Sequence, residues 1–428
     1  MSKKSHRYYF VLGTNHTLCK VDIVNVLSKR GVEFEIIEAS EEILLIETKE
    51  RVEISSLMVE LGGVVKAGEI FESYSLNGFP KNFLNEIAGL KFKEFFLLEK
   101  DLDIHFGISV YNGGGRFKKL NKMWFLAPMI ARLIKEKLNI GYLPLKDRKL
   151  PSFLVDKRNL LNRGFELILI VGLKGIYVGK TLNIQDYKNY SFRDYGRPAR
   201  DAKSGMIPPK LAKIMINLAG KDKNQIFFDP FCGSGTFLQE LVLLDYKNII
   251  GADLEEKAVI ASGENINWLF EKYPLKKENY NVKLFKSDAR NLSSKISPRT
   301  IDAIVTEPYL GSPKAKFFSS SQIKREIKKL MPLYFEAFIE FKKVIKNDGV
   351  IVIIFPLFRF KNSFYYLEIL DKIYELGFMN RDFLLEKPKG FELLRLNITS
   401  RNSVIFFHPG QSVSREIFVF TKIRQQLH

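Results

Sequence analysis

I-F-F-D-P-F-C-G-S-G-T-F-L-Q-E, residues 226–240, is the stretch whose reading decides the fold. The apolar run 226–228 reads as a buried strand that stops at Asp229 and Pro230. Phe231 and Cys232 lead into Gly233-Ser234-Gly235, a tight turn, and from Thr236 onward apolar residues return at helical spacing. Strand, glycine turn and helix in that order bring backbone close to a ligand at the carboxyl edge of a parallel sheet. Twenty residues after Gly233, a second apolar run (249–252) ends in Asp253. A carboxylate there can accept both hydroxyls of a ribose.

The same unit repeats downstream. Residues 282–286 form a strand ending at Ser287-Asp288-Ala289, and 301–306 a strand ending at Glu307-Pro308-Tyr309. The runs 301–305 and 350–355 are largely apolar, as strands covered on both faces require. Helices are expected at 256–268, 323–345 and 365–376, and an antiparallel pair, 403–407 with 417–420, joined through Pro409-Gly410. The alternation predicts an α/β, doubly wound, Rossmann-like domain over residues 209–428.

The N-terminal half reads differently. Strand 8–12, helix 17–28, strands 32–37 and 43–48, helix 54–61 and strand 64–71 give the split βαβ order of an α+β, ferredoxin-like domain over residues 1–74. A second module is expected over 75–182, with a helix at 79–90 and a strand at 106–111 that runs into Asn112-Gly113-Gly114-Gly115. The basic residues Arg116, Lys118, Lys119 and Lys122 follow, then an amphipathic helix at 128–138, strands at 153–155 and 167–173, and a closing hairpin. The triple glycine lacks the G-K-[ST] ending of a phosphate loop and reads as a connection. Residues 183–208 are polar with little periodicity, the pattern of a linker.

Composition sets the outer limits. The chain of 428 residues is long enough for two or three domains with their own cores. No apolar run approaches the ~20 residues of a membrane helix. Two distant cysteines, Cys19 and Cys232, build neither a disulfide framework nor a zinc site, so no metal is expected and a reducing cytoplasm is the expected setting. The net charge of +19 is unevenly spread: residues 101–200 carry 19 Lys and Arg against 8 Asp and Glu, whereas residues 1–100 carry 13 against 15. A basic block of that density reads as a polyanion-binding surface.

D-P-F-C-G-S-G-T-F, followed by Asp253, resembles motif I of the S-adenosylmethionine-dependent methyltransferases that modify exocyclic amines of nucleic-acid bases. The resemblance implies that Asp229, Pro230, Phe231, Gly233, Gly235 and Thr236 hold the amino-acid end of the cofactor. It gives the ribose to Asp253 and the adenine to Asp288 and Ala289. The order I-S-V-Y, basic helix, I-Y-V-G-K resembles the C-terminal part of a THUMP domain, an RNA-binding module. R-D-Y-G-R-P-A-R-D-A-K-S-G-M-I-P-P-K-L resembles the segment leading into the catalytic domain of archaeal and eukaryotic THUMP-domain tRNA guanosine-N2 methyltransferases, those acting on guanosine-10. Implied partners are tRNA, with Arg193, Arg197 and Arg200 meeting phosphate, and, left open, a small activating protein subunit.

The loop after the fourth strand bears on the substrate. The family carries Asp or Asn, Pro, Pro, aromatic; here the residues are Thr306-Glu307-Pro308-Tyr309. Aligned by the upstream strand, Glu307 takes the place of the Asp; aligned by the aromatic, Thr306 does. An exocyclic amine is a poor nucleophile because its lone pair is delocalised into the base, so acceptors bonded to its N–H groups and proximity to the methyl donor carry the chemistry. Glu307 is expected to be that acceptor, with Pro308 shaping the loop and Tyr309 stacking on a flipped base. The alternatives are a methyltransferase for another tRNA or ribosomal RNA guanosine and an RNA-binding relative that keeps the cofactor fold without activity. Leu238, where a third glycine should stand, argues against a nicotinamide dehydrogenase.

Overall fold

A computed structural model describes residues 5–77, 79–90, 104–200, 206–311, 319–361, 363–407 and 413–423. Residues 201–205 of the pre-catalytic segment and the link at 409–410 lie outside these. The chain divides into two compact units, one of residues 1–186 and 386–396, the other of residues 187–385 and 397–428.

The first unit contains β1 (His6–Leu12), α1 (His16–Lys29), β2 (Phe34–Ala39), β3 (Ile43–Thr48), α2 (Ile54–Glu60), β4 (Val64–Tyr74), α3 (Lys81–Gly89), β5 (His105–Asn112), α4 (Phe117–Leu138), β6 (Gly141–Tyr142), α5 (Ser152–Lys157), β7 (Gly164–Val171) and β8 (Ile176–Ile184). They form one eight-stranded sheet in the order β2-β3-β1-β4-β8-β7-β5-β6. The first four strands keep the ferredoxin-like order, but β4 pairs antiparallel with β8, so no break falls at residue 74. Alternation along β7 sorts side chains onto the two faces. Leu167 and Leu169 pack with Met123, Ile130 and Ile134 of α4. Ile168 and Ile170 pack with Tyr9 and Tyr111 on the opposite face. A buried ion pair crosses the sheet: Lys66 Nζ donates to Glu166 at 2.5 Å, and Ser109 and Thr181 donate to the same carboxylate. Both oxygens of Glu166 thus have donors, which is what makes a buried carboxylate tolerable.

Residues 386–396 also belong to this unit, although they lie in the second half of the sequence. The N–H of Ile36 on the edge strand β2 donates to the carbonyl of Lys389 at 2.9 Å, and Lys389 pairs with Glu35 at 2.6 Å. The buried Lys20 donates to the carbonyl of Leu394 at 2.7 Å. Gly390 is obligatory here: its φ is +79°, and a Cβ would come within 2.5 Å of the Ile36 carbonyl oxygen.

The second unit contains α6 (Tyr187–Tyr195), α7 (Pro209–Ala219), β9 (Ile226–Asp229), α8 (Thr236–Leu243), β10 (Asn248–Asp253), α9 (Glu256–Lys272), β11 (Asn281–Lys286), β12 (Ile301–Thr306), α10 (Ser320–Val344), β13 (Ile345–Phe360), β14 (Ser363–Tyr365), α11 (Leu370–Glu375), β15 (Phe378–Asn380), β16 (Val404–Phe406) and β17 (Val413–Lys422). The sheet order β11-β10-β9-β12-β13-β17-β15 reverses direction on either side of β9, with β9 to β13 parallel and β17 antiparallel to β13. It is a Rossmann-like α/β fold, with the switch point between β9 and β12. Phe338 of α10 anchors one face, its ring within 5.5 Å of Phe378 and 5.4 Å of Phe420.

Three expectations need correction. Residues 153–155, expected as a strand, lie in α5; three residues are too few to show a period. Residues 187–195, expected within a linker, form α6. Its inner face is held by the charged Arg193 rather than by an apolar stripe, which is why hydrophobic periodicity did not show it. The helix expected over 365–376 is reduced to α11, because the aromatic residues before it pair as a strand, Tyr365 opposite Phe358. Among the described residues no helix is long and apolar enough to cross a membrane, and no group of three or more His, Cys, Asp or Glu could hold a metal ion.

Candidate functional site

Four loops leave the carboxyl ends of the parallel strands β9, β10, β11 and β12, and the sequence-predicted residues sit on them. The first is the glycine turn. Gly233 and Gly235 have φ of +51° and +82°, left-handed values that favour glycine. A Cβ on Gly235 would strike Ser262 Oγ at 2.4 Å, whereas one on Gly233 would meet nothing within 4 Å. The turn is packed from behind at Gly235 and open to a ligand at Gly233. Thr236 starts α8, whose first N–H groups have no partner within the helix.

Asp253 ties the second loop to the first. Its Oδ2 accepts from Gly233 N at 2.9 Å and its Oδ1 from Glu255 N at 3.0 Å. Each oxygen keeps a second lone pair, and the side chain remains partly exposed. Asp288, expected to take an adenine amine, is instead turned onto Arg290, whose Nε and Nη2 lie 3.0 and 2.7 Å from its two oxygens. That bond holds the Asp288 carboxyl below its ordinary range. Ala289 is buried in the core beneath.

Asp229 and Thr306 join the first loop to the fourth. Thr306 Oγ1 donates to Asp229 Oδ1 at 2.6 Å, and the same oxygen accepts from Phe231 N at 3.1 Å. Pairing of β9 with β12 makes the strand ends neighbours. Burial pushes the Asp229 carboxyl up to about 7, the hydrogen bonds from Thr306 and Phe231 opposing it. Pro230 is buried beside it and Phe231 half-buried. Beyond Thr306, Pro308 is buried, whereas Tyr309 is 53% exposed, its carbonyl accepting from Tyr334 Oη at 3.1 Å.

Glu307 does not project freely as the expected acceptor. Arg415 of β17 donates to it from Nε at 2.5 Å and from Nη2 at 3.4 Å, with the two side chains 4% and 12% exposed for Arg415 and Glu307 respectively. Burial raises the Glu307 carboxyl and the Arg415 guanidinium opposes the rise. The carboxylate that the upstream register puts in place of the family's Asp is thus already engaged.

The basic residues divide. Arg116, Lys118 and Lys122 are exposed and Lys119 half-buried at the start of α4, and Arg200 is exposed. Arg193 and Arg197, expected to meet phosphate, face inward. Arg193 pairs with the buried Glu240 at 2.6 Å. Arg197 donates from Nη1 to Thr236 Oγ1 at 2.8 Å, and its buried Nε has no hydrogen-bond partner among the described residues. An orphaned buried guanidinium N–H beside the glycine turn fits an anionic ligand group there. Sequence reasoning missed Asn265, whose Nδ2 donates to the carbonyls of Ser234 and Ala199, both at 2.8 Å. Its one signal was a polar residue on the inner side of an amphipathic helix. Arg415 carried a similar signal, a charge at the head of the apolar run 417–420.

The chain is similar to known proteins in sequence and in fold. Residues 197–375 match the family model described as UPF0020, RMKL-like, methyltransferase domain. Among curated proteins, the tRNA (guanine(10)-N2)-dimethyltransferase of Methanocaldococcus jannaschii is 29% identical over 247 residues, 56% of this chain and 61% of that one. Its counterpart from Methanothermobacter thermautotrophicus is 34% identical over 110 residues, 25% of this chain and 28% of that one. The chain thus spans less than two thirds of the length of these relatives. Among solved structures, TrmN from Thermus thermophilus superposes with a TM-score of 0.57 at 15% identity, covering 98% of this chain and 100% of that one, a likeness of fold.

Proposed function

We propose that the chain transfers a methyl group from S-adenosylmethionine to the exocyclic N2 of a guanosine in tRNA, with guanosine-10 the target. The observation that carries this reading is the Asp229–Thr306 hydrogen bond, which joins the glycine turn to the loop bearing Pro308 and Tyr309 at the switch point of the sheet. The methyltransferase-domain match and the curated relatives support it.

In this reading the α8 N-terminus and the Arg197 Nε receive the cofactor's carboxylate and Asp253 its ribose hydroxyls. Bound there, the cofactor supplies an electrophilic methyl group. The chain's own contribution is placement: Tyr309 offers its exposed ring to the extruded base, and the loop at Thr306 to Pro308 presents acceptors to the N2 amine. The Arg415 ion pair favours backbone carbonyls over the Glu307 carboxylate as those acceptors. The basic face of α4, within the region read as THUMP, contributes tRNA affinity. A small activating subunit belongs to the same proposal. Incubation with labelled cofactor and unmodified tRNA transcript, followed by mass spectrometry of the nucleosides, tests it. The expected product is N2-methylguanosine or its dimethyl form, and absence of both overturns the reading.

A further inference from the structure

α6 uses its two sides differently. On the inner side the Arg193 guanidinium stacks over the buried Tyr190 at 4.6 Å and pairs with Glu240, which locks the helix to its unit. Asn189 accepts from Tyr273 Oη at 3.2 Å, a second anchor. On the outer side Phe192 and Tyr195 are 42% and 66% exposed. Phe192 is nonetheless fixed, its ring 5.0 Å from that of Trp268. The Arg200 guanidinium lies 5.1 Å from the Tyr195 ring, and Lys188 is exposed one turn before Phe192. Tyr187, Lys188, Ser191, Phe192, Tyr195 and Gly196 line a single open depression.

Rigid rings flanked by cations suit a particular guest. An aliphatic protein helix would require a stripe of Leu, Ile or Val, and the exposed residues of α6 offer rings, a hydroxyl and an ammonium instead. The nearest carboxylates in sequence are Asp186, which precedes the lining, and the half-buried Asp194. Every nucleobase has a flat π-face that stacks on an aromatic ring, and every flanking phosphate suits Lys or Arg.

We propose that the outer face of α6 is a stacking platform for an unpaired stretch of the RNA substrate. One or two bases lie on Phe192 and Tyr195, with the flanking phosphates on Lys188 and Arg200. This rests on the RNA-methyltransferase reading and adds to it a contact with bases other than the reacting one.

The test uses the full-length chain, an unmodified tRNA transcript and a short single-stranded RNA carrying 2-aminopurine. Phe192→Ala/Tyr195→Ala should weaken RNA binding by roughly tenfold or more and abolish 2-aminopurine quenching, with the salt dependence unchanged because stacking releases no counterions. Lys188→Gln/Arg200→Gln should instead lower the salt slope by about one to two. Tyr195→Ala alone, at the more exposed ring, serves should loss of the Trp268 contact unfold the double variant. Unchanged RNA affinity and quenching in a folded variant overturns the platform, including when that variant has lost binding to a protein partner. RNA binding without methyl transfer by the unaltered chain defeats the enzymatic reading alone. Methyl transfer with indistinguishable ring variants defeats the platform alone.

Discussion

Glu307 and Arg415, 108 residues apart in sequence, form a nearly buried ion pair at the loop after β12. Removing one partner of such a pair leaves a buried charge and typically costs about 3–5 kcal/mol. Arg415→Met and Glu307→Gln should each lower stability, and the double variant by less than their sum, as chemical denaturation of the set will show. Well below its melting temperature, Glu307→Gln should keep its single-turnover methyl-transfer rate within about tenfold. A hundredfold loss of rate at full stability would return the carboxylate to the mechanism.

Asp253 serves the turn and, in our reading, the cofactor. Asp253→Ala removes the acceptor for Gly233 N along with the ribose contact. Charged hydrogen bonds are worth roughly 1.5–3 kcal/mol each. Calorimetric titration with S-adenosylmethionine should therefore show affinity weakened at least tenfold, with the far-ultraviolet circular dichroism unchanged.

Asp229 makes stability depend on pH in an unusual direction. Its folded-state value of about 7 lies above the ordinary 3.8, so between the two the folded chain holds a proton that the unfolded chain has released. The resulting penalty is absent below about pH 4, grows as the pH rises and is complete above about pH 7. It follows from proton linkage, the unfolded chain releasing its proton before the folded one does. Asp229→Asn keeps an oxygen for Thr306 and Phe231 but cannot ionise. Denaturation between pH 4 and 8 should show a smaller loss of stability with rising pH in the variant than in the parent.

The exposed cations at the start of α4 make a separable prediction. Replacing Arg116, Lys118 and Lys122 together by Gln should weaken tRNA binding and reduce the slope of log affinity against log salt by about two to three. Cofactor affinity should not change. Binding isotherms across a series of salt concentrations suffice to check both.

Local signals carried the doubly wound sheet and the glycine turn into view, because each strand-to-loop unit there is written within a few contiguous residues. Asp229, Gly233, Gly235 and Asp253 were legible for that reason. What remained hidden depended on long-range pairing. Glu307 read as an acceptor because the partner that engages it lies two strands away, on the antiparallel β17. Arg193 and Arg197 read as phosphate contacts because a cation in a polar segment gives no sign of the buried Glu240 or Thr236 that receives it. The continuity of the N-terminal sheet was hidden for the same reason: β4 and β8 meet only after about 100 intervening residues.

The placement of residues 386–396 on β2 also sets a schedule for biosynthesis. The ribosome finishes residue 186 about 200 residues before it delivers this last piece of the first unit. At about 5–20 residues per second the nascent unit waits roughly 10–40 s with the outer edge of β2 uncapped. An unpaired edge strand invites pairing with other chains, and charged side chains along it discourage that. The edge strand carries Glu35, and the capping segment arrives with Lys389 to neutralise it. A sequence whose edge keeps one carboxylate without its Lys389 partner until that segment emerges can hold a discontinuous domain open during translation with less exposure to its neighbours on the polysome.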